Sequence, residues 1–195
     1  MKLIKLFEQF IGEDASNLSS AEKAFGAQGP QTQDRLRAIF LYNFTRYFEW
    51  PDYGDPYKNP DYNPDSFTIY VVGNDSNLVH ELKTFTDIKA VGVRKIVIIN
   101  SPAYDSKLWG QVDTPTGLKR PINPPAIMYF GPGTAIVKNP GSLIVAETPG
   151  ACARGASINF QVVDNKLGFE YSQSAAVAAG LNTKTDFEAL ATKLV

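Results

Sequence analysis

Between residues 36 and 48, apolar and aromatic side chains recur at the three- and four-residue spacing of a single helix face. The residues that share this face are Leu36, Ile39, Phe40, Asn43, Phe44, Tyr47 and Phe48. Charged residues such as Arg35, Arg37 and Arg46 mostly fall off the face. Pro51 ends the helix because it has no N–H group and disfavours helical geometry at Trp50. This pattern predicts a buried core helix with an aromatic stripe.

Downstream of Pro51, short β-rich runs alternate with segments of helical spacing. The β-rich runs predict strands at 67–73, 95–100, 126–130 and 142–147. The helical spacing predicts helices at 77–85 and 103–110. Strands that alternate with helices favour an α/β fold, in which a mainly parallel sheet is flanked by helices on both faces.

The last third of the chain has a different pattern. Two β-rich runs, 156–163 and 166–171, flank Asp164-Asn165, and a two-residue turn between such runs predicts an antiparallel hairpin. A short helix is predicted next, from Gln173 to Ala179. A second is expected to begin at the capping-box pattern Thr185-Asp-Phe-Glu188.

The N-terminal segment has an apolar stripe of its own, separate from the main pattern. Its contact residues are Leu3, Phe7, Phe10 and Ile11. Because so short a helix is marginal in isolation, it must dock on something. Residues 1–31 are therefore predicted to be an N-terminal amphipathic helical arm and tether, and Thr32 is the expected N-cap of a domain spanning 32–195. The arm either folds back on this domain or enters a groove on a partner.

Composition and charge remove several classes of function. The chain has 195 residues and a formal net charge of −1, which gives no electrostatic basis for binding nucleic acid. It contains no run approaching the roughly 20 apolar residues of a membrane span. The N-terminus starts basic, but Lys5 and Glu8 interrupt its apolar residues, so no signal peptide is readable. A cytoplasmic protein and a mature secreted domain are both compatible with this pattern.

Candidate chemistry is sparse. His80 is the single histidine and Cys152 the single cysteine, so an intrachain disulfide is impossible, and no zinc, cofactor or catalytic motif is found. Cys152 is expected to be a small buried residue, with a reactive thiol near Arg154 as the alternative. The glycine-rich loop 148–155 fits no phosphate-binding fingerprint. Its residues Arg154 and Gly155 are nevertheless the first choice for holding a small anion or polar ligand.

Two segments resemble the YfiR family of small bacterial periplasmic proteins. The first runs from Arg37 to Pro51, where an asparagine inside an aromatic helix is followed by Glu-Trp-Pro. The second runs from Ala156 to Ala191 and combines the hairpin, an Ala-rich helix and a closing Leu-Ala pair. The resemblance covers roughly residues 34 to 194. It implies an α/β fold and a sensor or repressor role outside the cytoplasm.

The best-known member of that family inhibits a membrane diguanylate cyclase, dimerises and is tuned by disulfides. The resemblance therefore implies a non-enzymatic envelope regulator that binds another protein, itself or both, with no cofactor. The disulfide switch does not transfer here, because Cys152 has no partner. Two hypotheses of other classes remain: a structural subunit of a homomeric or envelope assembly whose arm docks on a neighbour, and a small-molecule sensor or enzyme using loop 148–155.

Overall fold

A computed structural model of the chain describes residues 30–50, 66–86, 90–91, 94–109, 112–113, 119–120, 125–163, 166–183 and 187–195. Its α-helices are α1 (Pro30–Tyr47), α2 (Ser76–Thr86) and α3 (Gln173–Ala178). Its strands are β1 (Phe48–Glu49), β2 (Ser66–Val72), β3 (Ala90–Val91), β4 (Arg94–Ser101), β5 (Val112–Asp113), β6 (Lys119–Arg120), β7 (Ile127–Phe130), β8 (Leu143–Ala146), β9 (Ile158–Val163), β10 (Lys166–Tyr171), β11 (Asn182–Thr183) and β12 (Lys193–Leu194). Short 3-10 turns occupy Ser106–Trp109, Cys152–Arg154 and Glu188–Leu190.

The central sheet has eight strands in the order β12-β10-β9-β8-β7-β2-β4-β3. The pairs β9–β10 and β3–β4 are antiparallel, and the other neighbours run parallel. This confirms the predicted mainly parallel α/β sheet and its late antiparallel hairpin. Small two-stranded sheets pair β1 with β11 and β5 with β6.

One face of the sheet carries the α-helices and the larger core. The ring of Phe44 in α1 lies 5.5–6.0 Å, centroid to centroid, from those of Phe160, Phe169 and Phe187. Leu78 and Leu82 of α2 are buried in the same cluster. The aromatic stripe therefore packs on the sheet, as its spacing predicts, and removes most of the apolar area of α1 from water.

The opposite face carries a smaller apolar cluster, whose members from the sheet are Tyr70, Val72, Met128, Phe130, Ile144 and Ala146. Its cover includes Ala151 and Ala156, which flank the 3-10 turn at Cys152–Arg154, and the half-buried Ile136 and Val137. The described α-helices thus pack on one face, and the segment with the 3-10 turn at Cys152–Arg154 covers part of the other.

The end of α1 differs from the sequence prediction. The helix ends at Tyr47, and Phe48 and Glu49 form β1, which pairs antiparallel with β11. Phe48 is buried all the same. The indole N–H of Trp50 donates to the carbonyl of Thr45 at 2.9 Å, which satisfies a helix-terminal acceptor. Tertiary pairing has replaced the last helical turn.

The predicted closing helix is also different. The described part of that segment has one 3-10 turn, Glu188–Leu190, and then β12, which extends the sheet beside β10. Thr192 fixes this addition twice: its N–H donates to the carbonyl of Phe169, and its hydroxyl accepts from the N–H of Phe169. The predicted helix at 103–110 is likewise a 3-10 turn, and α1 begins at Pro30, before Thr32.

The predicted N-terminal arm lies outside the described residues, together with its contact residues Leu3, Phe7, Phe10 and Ile11. The division into an arm at 1–31 and a domain at 32–195 therefore stays a prediction.

Candidate functional site

The carboxyl edge of the parallel strands is the place where ligand sites of open α/β sheets form, at the point where the strand order reverses. Here β2 lies between β4 and β7, so the chain builds the sheet first to one side of β2 and then to the other. The segments that leave β2, β7 and β8 meet at this edge, and they contribute Asp75, Gly131 and Glu147. Glu147 stays in register there, because its N–H donates to the carbonyl of Phe130.

Arg37 of α1 reaches this edge and forms a two-pronged ion pair with Glu147. Its Nε donates to Oε2 at 2.7 Å, and its Nη2 donates to Oε1. The two side chains are 11% and 18% exposed, respectively. A bidentate guanidinium–carboxylate pair is among the strongest polar contacts in proteins. Because solvent screens this pair weakly, the attraction between its two charges is stronger than at an exposed site. It holds the N-terminal half of α1 to the end of β8.

Asp34 adds a second carboxylate to the same guanidinium. Its Oδ1 accepts from Nη1 of Arg37 at 2.9 Å, one helical turn earlier. Burial works against the charged form of Arg37, but the hydrogen bonds and charge of Glu147 outweigh it and raise the pKa of Arg37. For Asp34 the balance goes the other way. Burial, with repulsion from Asp75, raises the pKa of Asp34 in spite of Arg37.

Tyr129 of β7 completes the network from the sheet. Its hydroxyl donates to Oε2 of Glu147 at 2.9 Å. Burial, together with the charge of Glu147, raises the pKa of Tyr129, so it stays a neutral donor. Asp75 accepts the N–H of Leu78 at 3.0 Å and caps α2. The four elements α1, α2, β7 and β8 thus meet at one polar cluster, which we call the edge cluster: Asp34, Arg37, Asp75, Tyr129 and Glu147.

Sequence reasoning missed the edge cluster. Arg37 falls off the apolar face of α1, and Glu147 is the last residue of the strand predicted at 142–147. Neither position marks a site by itself. The available signal was the i, i+3 spacing of Asp34 and Arg37, which places an opposite-charge pair on one side of the helix. That spacing alone does not reveal the link to Glu147, which is 110 residues away.

Loop 148–155, the predicted ligand loop, follows β8 directly. The guanidinium of Arg154 is exposed and donates to the carbonyl of Pro149 at 3.0 Å, within its own loop. Gly155 ends the 3-10 turn at a φ of 102°, a left-handed conformation that favours glycine. A Cβ at Gly155 would overlap the side chain of Lys138. A ligand role for Arg154 and Gly155 stays a prediction.

A chain of polar contacts ties this loop to the sheet edge at β12. Asn159 accepts the N–H of Thr148 at 3.1 Å and donates to Glu170 at 3.2 Å. Lys193 donates to the other Glu170 oxygen at 3.2 Å. Burial raises the pKa of Glu170, but hydrogen bonds from Asn159, Gln161 and Lys193 outweigh burial and lower this pKa overall. The chain of contacts fixes the loop, the hairpin and β12 relative to one another.

The thiol of Cys152 lies beneath the loop, 8% exposed, with its sulfur 3.9 Å from the carbonyl of Glu170. Burial, with the charge of Glu170, raises the pKa of Cys152 to about 12. The thiolate is the reactive form of cysteine, and the raised pKa keeps Cys152 in the unreactive thiol form. A buried structural cysteine fits these facts, and the reactive alternative does not.

Cys152 is therefore expected to resist Ellman's reagent in the native protein. A pKa near 12 instead of the ordinary 9 lowers the thiolate fraction at pH 8 about a thousandfold. Comparing reaction rates in buffer and in denaturing urea tests this, with Cys152→Ala as the blank. A native rate similar to the unfolded rate would contradict the prediction.

Within the part of the chain that the structure describes, no three His, Cys, Asp or Glu side chains are grouped so that they could hold a metal ion. None of the described helices is long and apolar enough to cross a membrane. His80 is exposed on α2. What the carboxyl edge does provide is a desolvated ionic link between α1 and the sheet.

Comparison with known proteins agrees with the resemblance drawn from the sequence. A family model described as YfiR/HmsC-like matches residues 34–192, from the first turns of α1 to the residue before β12. The match includes both the aromatic helix and the closing hairpin, and every member of the edge cluster lies within it. No curated protein matches the chain.

Proposed function

This chain belongs to the YfiR/HmsC-like family, and on that premise we propose that it is a non-enzymatic regulator that acts in the periplasm by binding another protein. The observation that carries the proposal is the family match over residues 34–192, which spans the whole central sheet except β12. The family suggests a periplasmic regulator of diguanylate cyclase. Regulation without catalysis is also consistent with the edge cluster, whose charged groups are largely engaged with one another.

The proposed partner is the periplasmic part of a membrane diguanylate cyclase. The chain would hold this enzyme in a low-activity state, because a regulator can shift a two-state partner only by binding one state more tightly than the other. A regulator of this kind needs no span of its own, since its partner supplies the membrane anchor.

The proposed contact surface is the apolar stripe of the N-terminal arm, formed by Leu3, Phe7, Phe10 and Ile11. An amphipathic helix that lays its apolar face into a groove is a recurrent mode of protein recognition. A few large apolar side chains carry most of the energy of such contacts. Self-association of the chain through the same stripe is the competing use of this surface.

The proposal is tested by deleting the gene in the bacterium that produces the protein and measuring cellular cyclic di-GMP. Loss of an inhibitor is expected to raise the cyclic di-GMP level severalfold, and restoring the chain should return it to the starting level. An unchanged level in the deletion strain would overturn the proposed function.

The arm is tested separately in the same strain. A variant with Leu3, Phe7, Phe10 and Ile11 all changed to Ser should fail to restore the low level, because it loses the apolar contact. The matched control changes Lys5, Glu8 and Gln9 on the other face to Ser and should restore it. If the apolar-face variant restores regulation fully, the contact surface lies elsewhere. Sedimentation of the purified proteins shows whether the stripe mediates self-association instead.

A further inference from the structure

The edge cluster carries unbalanced charge at the joint between α1 and the sheet. Asp34 and Glu147 place two carboxylates on one guanidinium, that of Arg37, and Asp75 at the start of α2 repels Asp34 as a third carboxylate. Nε and Nη2 of Arg37 donate to Glu147, and Nη1 donates to Asp34. Because the ion pairs are largely buried, water screens the remaining repulsion weakly. A proton is the smallest ligand that can relieve it.

We propose that the edge cluster is a proton-linked lock on α1, in which protonation of Asp34 tightens the docking of this helix on the sheet. The lock goes beyond the regulatory function proposed above and does not depend on it, since it concerns the conformation of the chain itself.

Each element packed at the joint contributes a group that decides the direction of the effect. Arg37 on α1 attracts the Asp34 carboxylate, while Asp75 at the start of α2 and Glu147 at the end of β8 repel it. The single hydroxyl proton of Tyr129 on β7 is donated to Glu147 and not to Asp34. Burial, together with Asp75, outweighs Arg37 and raises the pKa of Asp34.

The sign of the linkage follows from that direction. A carboxyl whose pKa is higher in the folded than in the unfolded chain binds its proton more tightly when folded. Its favourable contribution is fully present below the unfolded pKa, near 3.8 for Asp34, and is lost as the pH rises through the higher folded pKa. Acid therefore strengthens this joint, in contrast to an ordinary salt-bridged aspartate, which acid weakens.

The test compares the full chain with its Asp34→Asn variant by urea unfolding between pH 4 and pH 8. Asparagine keeps an Oδ1 that can accept from Arg37 but carries no charge, so it mimics the protonated state. We expect the variant to have the higher urea midpoint at pH 7 and this difference to shrink as the pH falls toward 4. Asp105→Asn is the matched control, because Asp105 is exposed and its Oδ1 accepts the N–H of Lys107 at 2.9 Å. At pH 7 this control should not raise the urea midpoint as Asp34→Asn does.

Hydrogen exchange locates the effect. After correction for intrinsic exchange rates, amides of α1 in the wild type should be better protected at pH 4 than at pH 7.5, and Asp34→Asn should abolish this change. A difference between wild type and Asp34→Asn that is constant with pH would overturn the proposal. So would a change in protection spread evenly over the sheet, because protonation would then act on global stability instead of on α1 docking.

Discussion

Replacing Arg37 with Met is expected to lower the free energy of unfolding by about 3–5 kcal/mol, the typical cost of removing one partner of a buried ion pair. The reason is the group left behind. Glu147 loses both of its contacts to the guanidinium, and Asp34 loses its ion-pair partner, while both carboxylates stay in the protein. Because domains are stable by roughly 5–15 kcal/mol, this loss is a large fraction of the total.

The same helix supplies the control. Arg35 is exposed, and Arg35→Met should change the free energy of unfolding by less than about 1 kcal/mol. The double variant Arg37→Met, Glu147→Gln should be more stable than Arg37→Met alone, because the neutral amide removes one stranded charge and can still accept from Tyr129. Urea unfolding of the wild type and of these three variants is the measurement. Equal losses for Arg35→Met and Arg37→Met would refute the role given to the ion pair.

Replacing Phe44 with Ala should lower the free energy of unfolding by about 3–5 kcal/mol, because it removes a buried ring and leaves a cavity among aromatic neighbours. Phe44 is fully buried, and its ring lies near those of Phe40, Phe160, Phe169 and Phe187. These neighbours join α1 to the hairpin β9–β10 and to the segment before β12. The variant should therefore loosen several elements together.

Val177→Ala provides the comparison. Because Val177 is 58% exposed on α3, this substitution should lower the free energy of unfolding by less than about 0.5 kcal/mol. If Phe44→Ala does not fold, Phe44→Leu keeps most of the apolar volume and should give a smaller, measurable loss in thermal denaturation. A loss for Phe44→Leu no larger than that for Val177→Ala would show that the ring does not lie in the core.

The main features of the fold could be predicted because they depend on local patterns. The strand at 67–73 and the helix at 77–85 appear as β2 and α2 with ends shifted by a residue, and the hairpin around Asp164-Asn165 pairs as predicted. Side-chain period and turn chemistry are properties of neighbouring residues. They are readable without knowing what lies across the core.

Predictions failed where a distant strand supplied the hydrogen bonds. The helical pattern through Phe48 gave way to β1 because β11 pairs with it, and the capping-box segment contributes β12 because the edge of β10 is free to accept it. Local propensity is a weak preference of a few tenths of a kcal/mol per residue, and a strand partner can override it.

The edge cluster likewise separates what the sequence determines from what the tertiary structure decides. Sequence alone established the family resemblance, the buried aromatic face of α1 and the lack of a second cysteine among these 195 residues, because each depends on residue identity and short-range spacing. Tertiary structure alone decided that Arg37 faces Glu147, that Asp34 shares the same guanidinium and that Cys152 is shielded. The free energy of a charge depends on how much water and which countercharges surround it. Those surroundings are assembled by parts of the chain that lie far apart in sequence.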